Sequence, residues 1–103
     1  MSNKMAHAYI LSPEARLDYI EIINYIAQDN PYAAKKIKAE FNDAFKKLSH
    51  MPHMGHTRQD LTDKPLRFWP LHSYLIVYNP ESKPLAIVRV LSGYRDITDL
   101  LGD

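Results

Sequence analysis

Two cap-and-proline pairs constrain this chain more than anything else in it. Ser12-Pro13 and Asn30-Pro31 each place a side-chain oxygen able to cap a helix directly before a proline. The first N–H groups of a helix have no intrahelical partner, and a serine or asparagine cap accepts from one of them. Proline suits the first helical turn because the N–H it lacks would be idle there. The pairs predict one helix from Pro13 to about Gln28 and a second from Pro31 to about Ser49, ended by Pro52. So short a joint folds the two back on each other as a helical hairpin.

The apolar spacing agrees. In the second helix Ala34, Ile37, Phe41, Ala44 and Leu48 recur at three and four, with Phe45 beside them. That is one buried stripe with a wet opposite face. In the first helix Ala15, Tyr19, Ile22, Ile23 and Ile26 make the stripe, while Leu17 and Ile20 fall off it and Tyr25 lies on its opposite flank. This is more apolar surface than one buried face needs. Either a loop or the C-terminal tail covers it, or it is a groove for a partner.

Strands account for the rest. His7 to Leu11 alternates, with Tyr9 and Leu11 on one face and Ala8 and Ile10 on the other. His50 to Lys64 is loop, broken by Pro52 and Gly55, and Met51 and Met54 cap the end of the hairpin. Leu66 to Trp69 is a short strand. Tyr74 to Asn79 is apolar on both faces and so central in its sheet. After a turn over Asn79 to Pro84, Leu85 to Leu91 runs back antiparallel, and Ile97 to Leu101 is read as a closing helical turn. The expected fold is α+β, ordered β-α-α-β-β-β, with the helical hairpin on one face of a small antiparallel sheet. One domain spans residues 1–103.

Composition excludes several chemistries. The chain has no cysteine, so thiolate metal sites and disulfides are out. Its three glycines form no phosphate-cradling run, and no serine sits in a nucleophile elbow. His50, His53 and His56 recur every third residue, but Pro52 and Gly55 interrupt any common helical face, and Asp60 is the one acid nearby. No metal site is expected from them. Nothing near the N-terminus resembles a signal segment and no apolar run would span a membrane, so the expected location is the cytoplasm. A net charge of +1 gives no overall field for nucleic acid. Lys35, Lys36, Lys38, Lys46 and Lys47 gather on the second helix, but Glu40 and Asp43 interleave, as on a solvated face.

The arginines remain. Arg67 alternates with Leu66 and Phe68, Arg89 with Val88 and Val90, and Tyr94-Arg95-Asp96 follows the last strand. If their strands neighbour one another, Arg67 and Arg89 face the same side of the sheet. Each guanidinium has two readings. One is an internal ion pair, such as Arg89 with Asp18, or Arg95 with Asp96 or Asp99. The other is recognition of a phosphate or carboxylate.

These pieces together resemble the ParE branch of the RelE/ParE toxin superfamily. The first helix carries Ala15-x-x-Asp18-Tyr19-x-x-Ile22-x-x-Tyr25-Ile26. The second opens with Pro31-x-Ala33-Ala34 and closes with Leu48-x-x-Met51-Pro52-x-Met54-Gly55. Leu66-Arg67, Tyr74-x-Ile76-x-Tyr78 and Ile87-x-Arg89-Val90-Leu91-x-Gly93-x-Arg95-Asp96 follow in order. The resemblance implies the toxin of a type II toxin–antitoxin pair, acting by binding DNA gyrase, with no cofactor and no catalysis of its own. It implies a cognate antitoxin as partner, and operator DNA only through that antitoxin. Arg67, Arg89, Tyr94 and Arg95 become the candidate toxicity residues, and Leu17 and Ile20 the candidate antitoxin groove. RelE-type relatives cut messenger RNA on the ribosome. They commonly carry an arginine after the strand tyrosine, where this chain has Leu75. They are also usually strongly basic. Arg95, beside Tyr94, matches a position those nucleases use, so ribosome-dependent cleavage is the alternative, as is a non-toxic relative that only binds antitoxin.

Overall fold

The computed structural model describes residues 8–92 and 100–101. Its elements are β1 (Tyr9–Leu11), α1 (Pro13–Asp29), α2 (Pro31–His50), β2 (Arg67–Leu71), β3 (Tyr74–Asn79) and β4 (Leu85–Ser92). Both cap-and-proline pairs start their helices. The Ser12 hydroxyl accepts from the Ala15 N–H at 3.0 Å, and Asn30 Oδ1 accepts from the Ala33 N–H at 3.1 Å. Asn30 also closes α1, its N–H donating to the Ile26 carbonyl at 2.9 Å. One residue therefore ends the first helix and caps the second, and the hairpin follows.

The strands form one sheet in the order β1-β4-β3-β2. β2–β3 and β3–β4 are antiparallel, but β1 pairs parallel with β4, Tyr9 opposite Leu85 and Leu11 opposite Ile87. The sheet is thus mixed rather than wholly antiparallel. The physical reason is connection: β1 leaves the sheet through α1 and α2 and so needs no tight turn to its neighbour. Side-chain alternation marks a strand but carries no direction.

One face of the sheet carries the helical hairpin. Phe41, Phe45 and Leu48 from α2 pack with Ile22 and Ala15 from α1 onto Ile76, Tyr78, Ile87 and Val90. Tyr19 stands edge-on to Phe41 at 5.6 Å between ring centroids. Each fully buried side chain of this size contributes roughly 1.5–3 kcal/mol over leaving it in water. The other face is covered by the chain's own loop and tail. Leu66, Phe68, Leu75, Val77 and Leu91 pack there with Leu101, and Leu61 flanks them. The described part of the tail thus covers the sheet and not α1. Leu17, Ile20 and Tyr25 stay 62%, 44% and 75% exposed. No helix among the described residues is long and apolar enough to cross a membrane.

Candidate functional site

The four candidate toxicity residues part company in the structure. Arg89 sits where β4 changes phase. Val77 lies opposite Arg89 but Tyr78 lies opposite Ile87, so Val88 is an extra residue and the strand carries a bulge. β1 has already ended at this point, leaving the outer edge of β4 without a strand partner. The start of α1 takes that place. The Ser12 N–H donates to the Ile87 carbonyl at 2.9 Å, and its hydroxyl donates to the Val88 carbonyl at 2.8 Å. Two turns further on, Asp18 accepts the Val90 N–H at 2.9 Å.

The same carboxylate holds Arg89 with two parallel bonds. Arg89 Nε donates to Asp18 Oδ2 at 2.8 Å and Nη2 to Oδ1 at 2.9 Å, while Nη1 reaches the Leu100 carbonyl at 3.2 Å. The side chains are only 19% and 15% exposed. This fork is the strongest geometry a carboxylate and a guanidinium adopt. The bond to Asp18 is the main cause that raises the Arg89 pKa above its ordinary value, against the opposing effect of desolvation. Of the two readings open to Arg89, the ion pair with Asp18 is the one formed. A phosphate arriving here has to displace a carboxylate that fits.

Arg67 lies elsewhere. It is opposite Tyr78 on β3, whereas Arg89 is opposite Val77, the neighbouring position, and β3 separates their strands. The two guanidiniums do not meet. Arg67 Nη1 donates to the Gly55 carbonyl at 2.7 Å and more loosely to that of His53 at 3.4 Å. Tyr78 secures the same loop from below. Its hydroxyl donates to the Pro52 carbonyl at 2.7 Å and accepts the Gly55 N–H at 2.9 Å. Burial is the main cause that raises the Tyr78 pKa, with the Gly55 N–H and Arg67 pulling the other way. A side chain on Gly55 would begin 2.5 Å from that hydroxyl and 2.9 Å from the Phe68 carbonyl. The absent Cβ is what lets the loop close on Tyr78.

Tyr94 and Arg95 lie outside the described residues, as do Ile97 to Asp99 of the expected closing turn. The histidines do not converge. His53 pairs with Glu81 at 3.2 Å, His72 with Glu40, and His56 bridges to Phe68 through its backbone. Among the described residues no group of three or more His, Asp or Glu side chains is placed to hold a metal ion.

The Asp18–Arg89 pair, a latch between α1 and β4, borders an open hollow between α1 and the end of β4, to which Glu21, Tyr25, Tyr74 and Ser92 also contribute. Sequence reasoning named the Asp18–Arg89 pair only as one possibility, and it missed the role of Tyr78. The signal for Tyr78 was present: a tyrosine at an inward strand position needs a partner for its hydroxyl, and the one nearby loop with a glycine supplies it.

The chain matches the family model described as ParE toxin of type II toxin-antitoxin system, parDE, over residues 9–97, and it belongs to that family. Among solved structures it is similar to the chromosomal ParDE TA system from P. aeruginosa. The TM-score is 0.68 at 18% identity, over 85% of this chain and 99% of that one, a likeness of fold. No curated protein matches the chain.

Proposed function

We infer that this toxin acts on DNA gyrase by binding it, without breaking a bond itself, and that a cognate antitoxin neutralises it in the cytoplasm. The observation that carries this reading is the ParE toxin match across residues 9–97. Arg67, Tyr94 and Arg95 make the target contact. Arg89 matters to toxicity through the position of α1, because its fork is already held by Asp18. The antitoxin docks on the outer face of α1, where Leu17 and Ile20 are exposed. Operator DNA meets the toxin only through that antitoxin.

Purified toxin is expected to block gyrase supercoiling in proportion to its concentration. Normal supercoiling at excess toxin overturns the reading, and new messenger RNA cuts inside codons after induction would move it to the ribonuclease class. Replacing Leu17 and Ile20 together by Asp is expected to leave inhibition intact and abolish neutralisation. Unchanged neutralisation would place the antitoxin elsewhere.

A further inference from the structure

The lysines of α2 are placed with a period. Lys35-Lys36 and Lys46-Lys47 are two pairs set eleven residues apart, which is about three turns, or roughly 16 Å along the helix. Both pairs therefore lie on one side. That side is opposite the buried stripe of Phe41, Phe45 and Leu48, so each pair straddles the outward line of the helix. All four side chains are exposed, and none has a hydrogen bond or ion pair with a described residue. Arg16 of α1 lines the same hollow as Lys46, is exposed and unpaired in the same sense, and carries the cationic band past the helix.

Glu40 and Asp43 interleave with these lysines in the sequence, but the structure divides the two acids. Glu40 turns to His72 in the β2–β3 turn. Asp43 stays on the outward face, exposed and with no ion pair to a described residue. The charge of the chain is correspondingly uneven. α2 holds five lysines against two acids, a net +3, whereas the whole chain is +1, so the remainder is −2. Between the lysine pairs the outward positions are Ala39 and Asp43. Neither is the large apolar or aromatic anchor on which a protein interface is centred.

We propose that the outer face of α2 binds the phosphate backbone of duplex DNA without regard to sequence. A duplex carries one negative charge per about 1.7 Å of its axis, in two rows that border each groove. The major groove is about 12 Å wide. Two cation pairs roughly 16 Å apart, on flexible stems, reach a phosphate row on either side of it. Phosphate contacts position a protein and carry no sequence information, so the face selects no operator. The inference goes beyond the gyrase reading. An enzyme that works on duplex DNA brings this backbone to a toxin bound on it, but the contact itself needs DNA alone.

The test uses the full chain and a fluorescently labelled DNA duplex of about 24 base pairs, followed by anisotropy from about 50 to 200 mM salt. Saturable binding is expected at the low end, falling with salt at a log–log slope of about −4, the value for four or five neutralised phosphates. An unlabelled duplex of unrelated sequence is expected to compete equally. Replacing Lys36 and Lys47 together by Glu is expected to weaken binding about tenfold and flatten the slope by about two. Its melting temperature should not change, as both side chains are exposed. Asp43→Asn removes a repelling charge from the face and is expected to tighten binding about threefold at low salt. No binding at low salt, a slope near zero, or a charge-reversed variant that binds as tightly as the parent would overturn the proposal. Tighter binding of duplex RNA or of polyglutamate would overturn it too, and assign the face to that partner. Gyrase is absent from the assay, so this result and the supercoiling result stand or fall separately.

Discussion

Arg89 and Arg67 sit two strands apart and teach different lessons about a cation on a sheet. Arg89 answers to a charge. Its fork closes on Asp18, whose carboxylate also finishes the backbone edge of β4, so one acid joins helix, strand and guanidinium. Arg67 answers to carbonyls. It ties the loop after α2 to β2 through Gly55, beside the Tyr78 hydroxyl that holds the same loop. The first arrangement removes two ionised groups from water and depends on both remaining; the second sets one guanidinium against carbonyls that carry no net charge. Removing one partner of a shielded ion pair strands the other as a charge, whereas removing Arg67 leaves only uncharged carbonyls behind, which is cheaper.

That difference sets the size of the expected effects. Asp18→Ala strands Arg89 and the Val90 N–H together, and urea unfolding should show a loss of about 3 kcal/mol. Gly55→Ala drives a methyl into the Tyr78 hydroxyl and the Phe68 carbonyl and should cost about 2 kcal/mol. Tyr78→Phe removes the bonds to Pro52 and Gly55 and should cost about 1–2 kcal/mol. Arg67→Met keeps the stem and loses the Gly55 carbonyl bond, for about 1.5 kcal/mol, the low end for a bond to a charged donor. If Arg67→Met proved as damaging as Asp18→Ala, the contrast between the two sites would collapse.

Tyr78 adds a pH effect. Its pKa is raised in the folded chain above the ordinary 10.0. Above about pH 10 the unfolded phenol has lost its proton while the folded one keeps it, so the folded state binds more protons and stability falls as pH rises. Below that range the contribution is intact. Denaturant midpoints taken from pH 8 to 11 should show an alkaline decline that is smaller in Tyr78→Phe.

Much of this was legible in the sequence. Ser12 and Asn30 marked both helix starts, because capping is local chemistry, and the α2 stripe identified the core face. β3 reads as central because it is apolar on both sides, and it lies between β2 and β4. The parallel pairing of β1 was not legible, since alternation has no sense of direction. Neither was the course of β2 through Pro70, which is tolerated because that position faces outward on an edge strand. The site was only half legible. Arg89 within an apolar run signalled an expensive charge, and Asp18 was a possible partner. The bulge opposite Val77, which sets where Arg89 lies relative to α1, has no sequence signature.

Arg89 acts through Asp18 before it acts on anything else. A double-mutant cycle of Asp18→Ala and Arg89→Met, read by urea unfolding, tests this directly. A coupling of about 2 kcal/mol, with the double variant far less damaged than the sum of the singles, is the predicted result. Losses that simply add, within about 0.5 kcal/mol, would mean that the two groups do not depend on each other and that the latch does not hold α1 to β4.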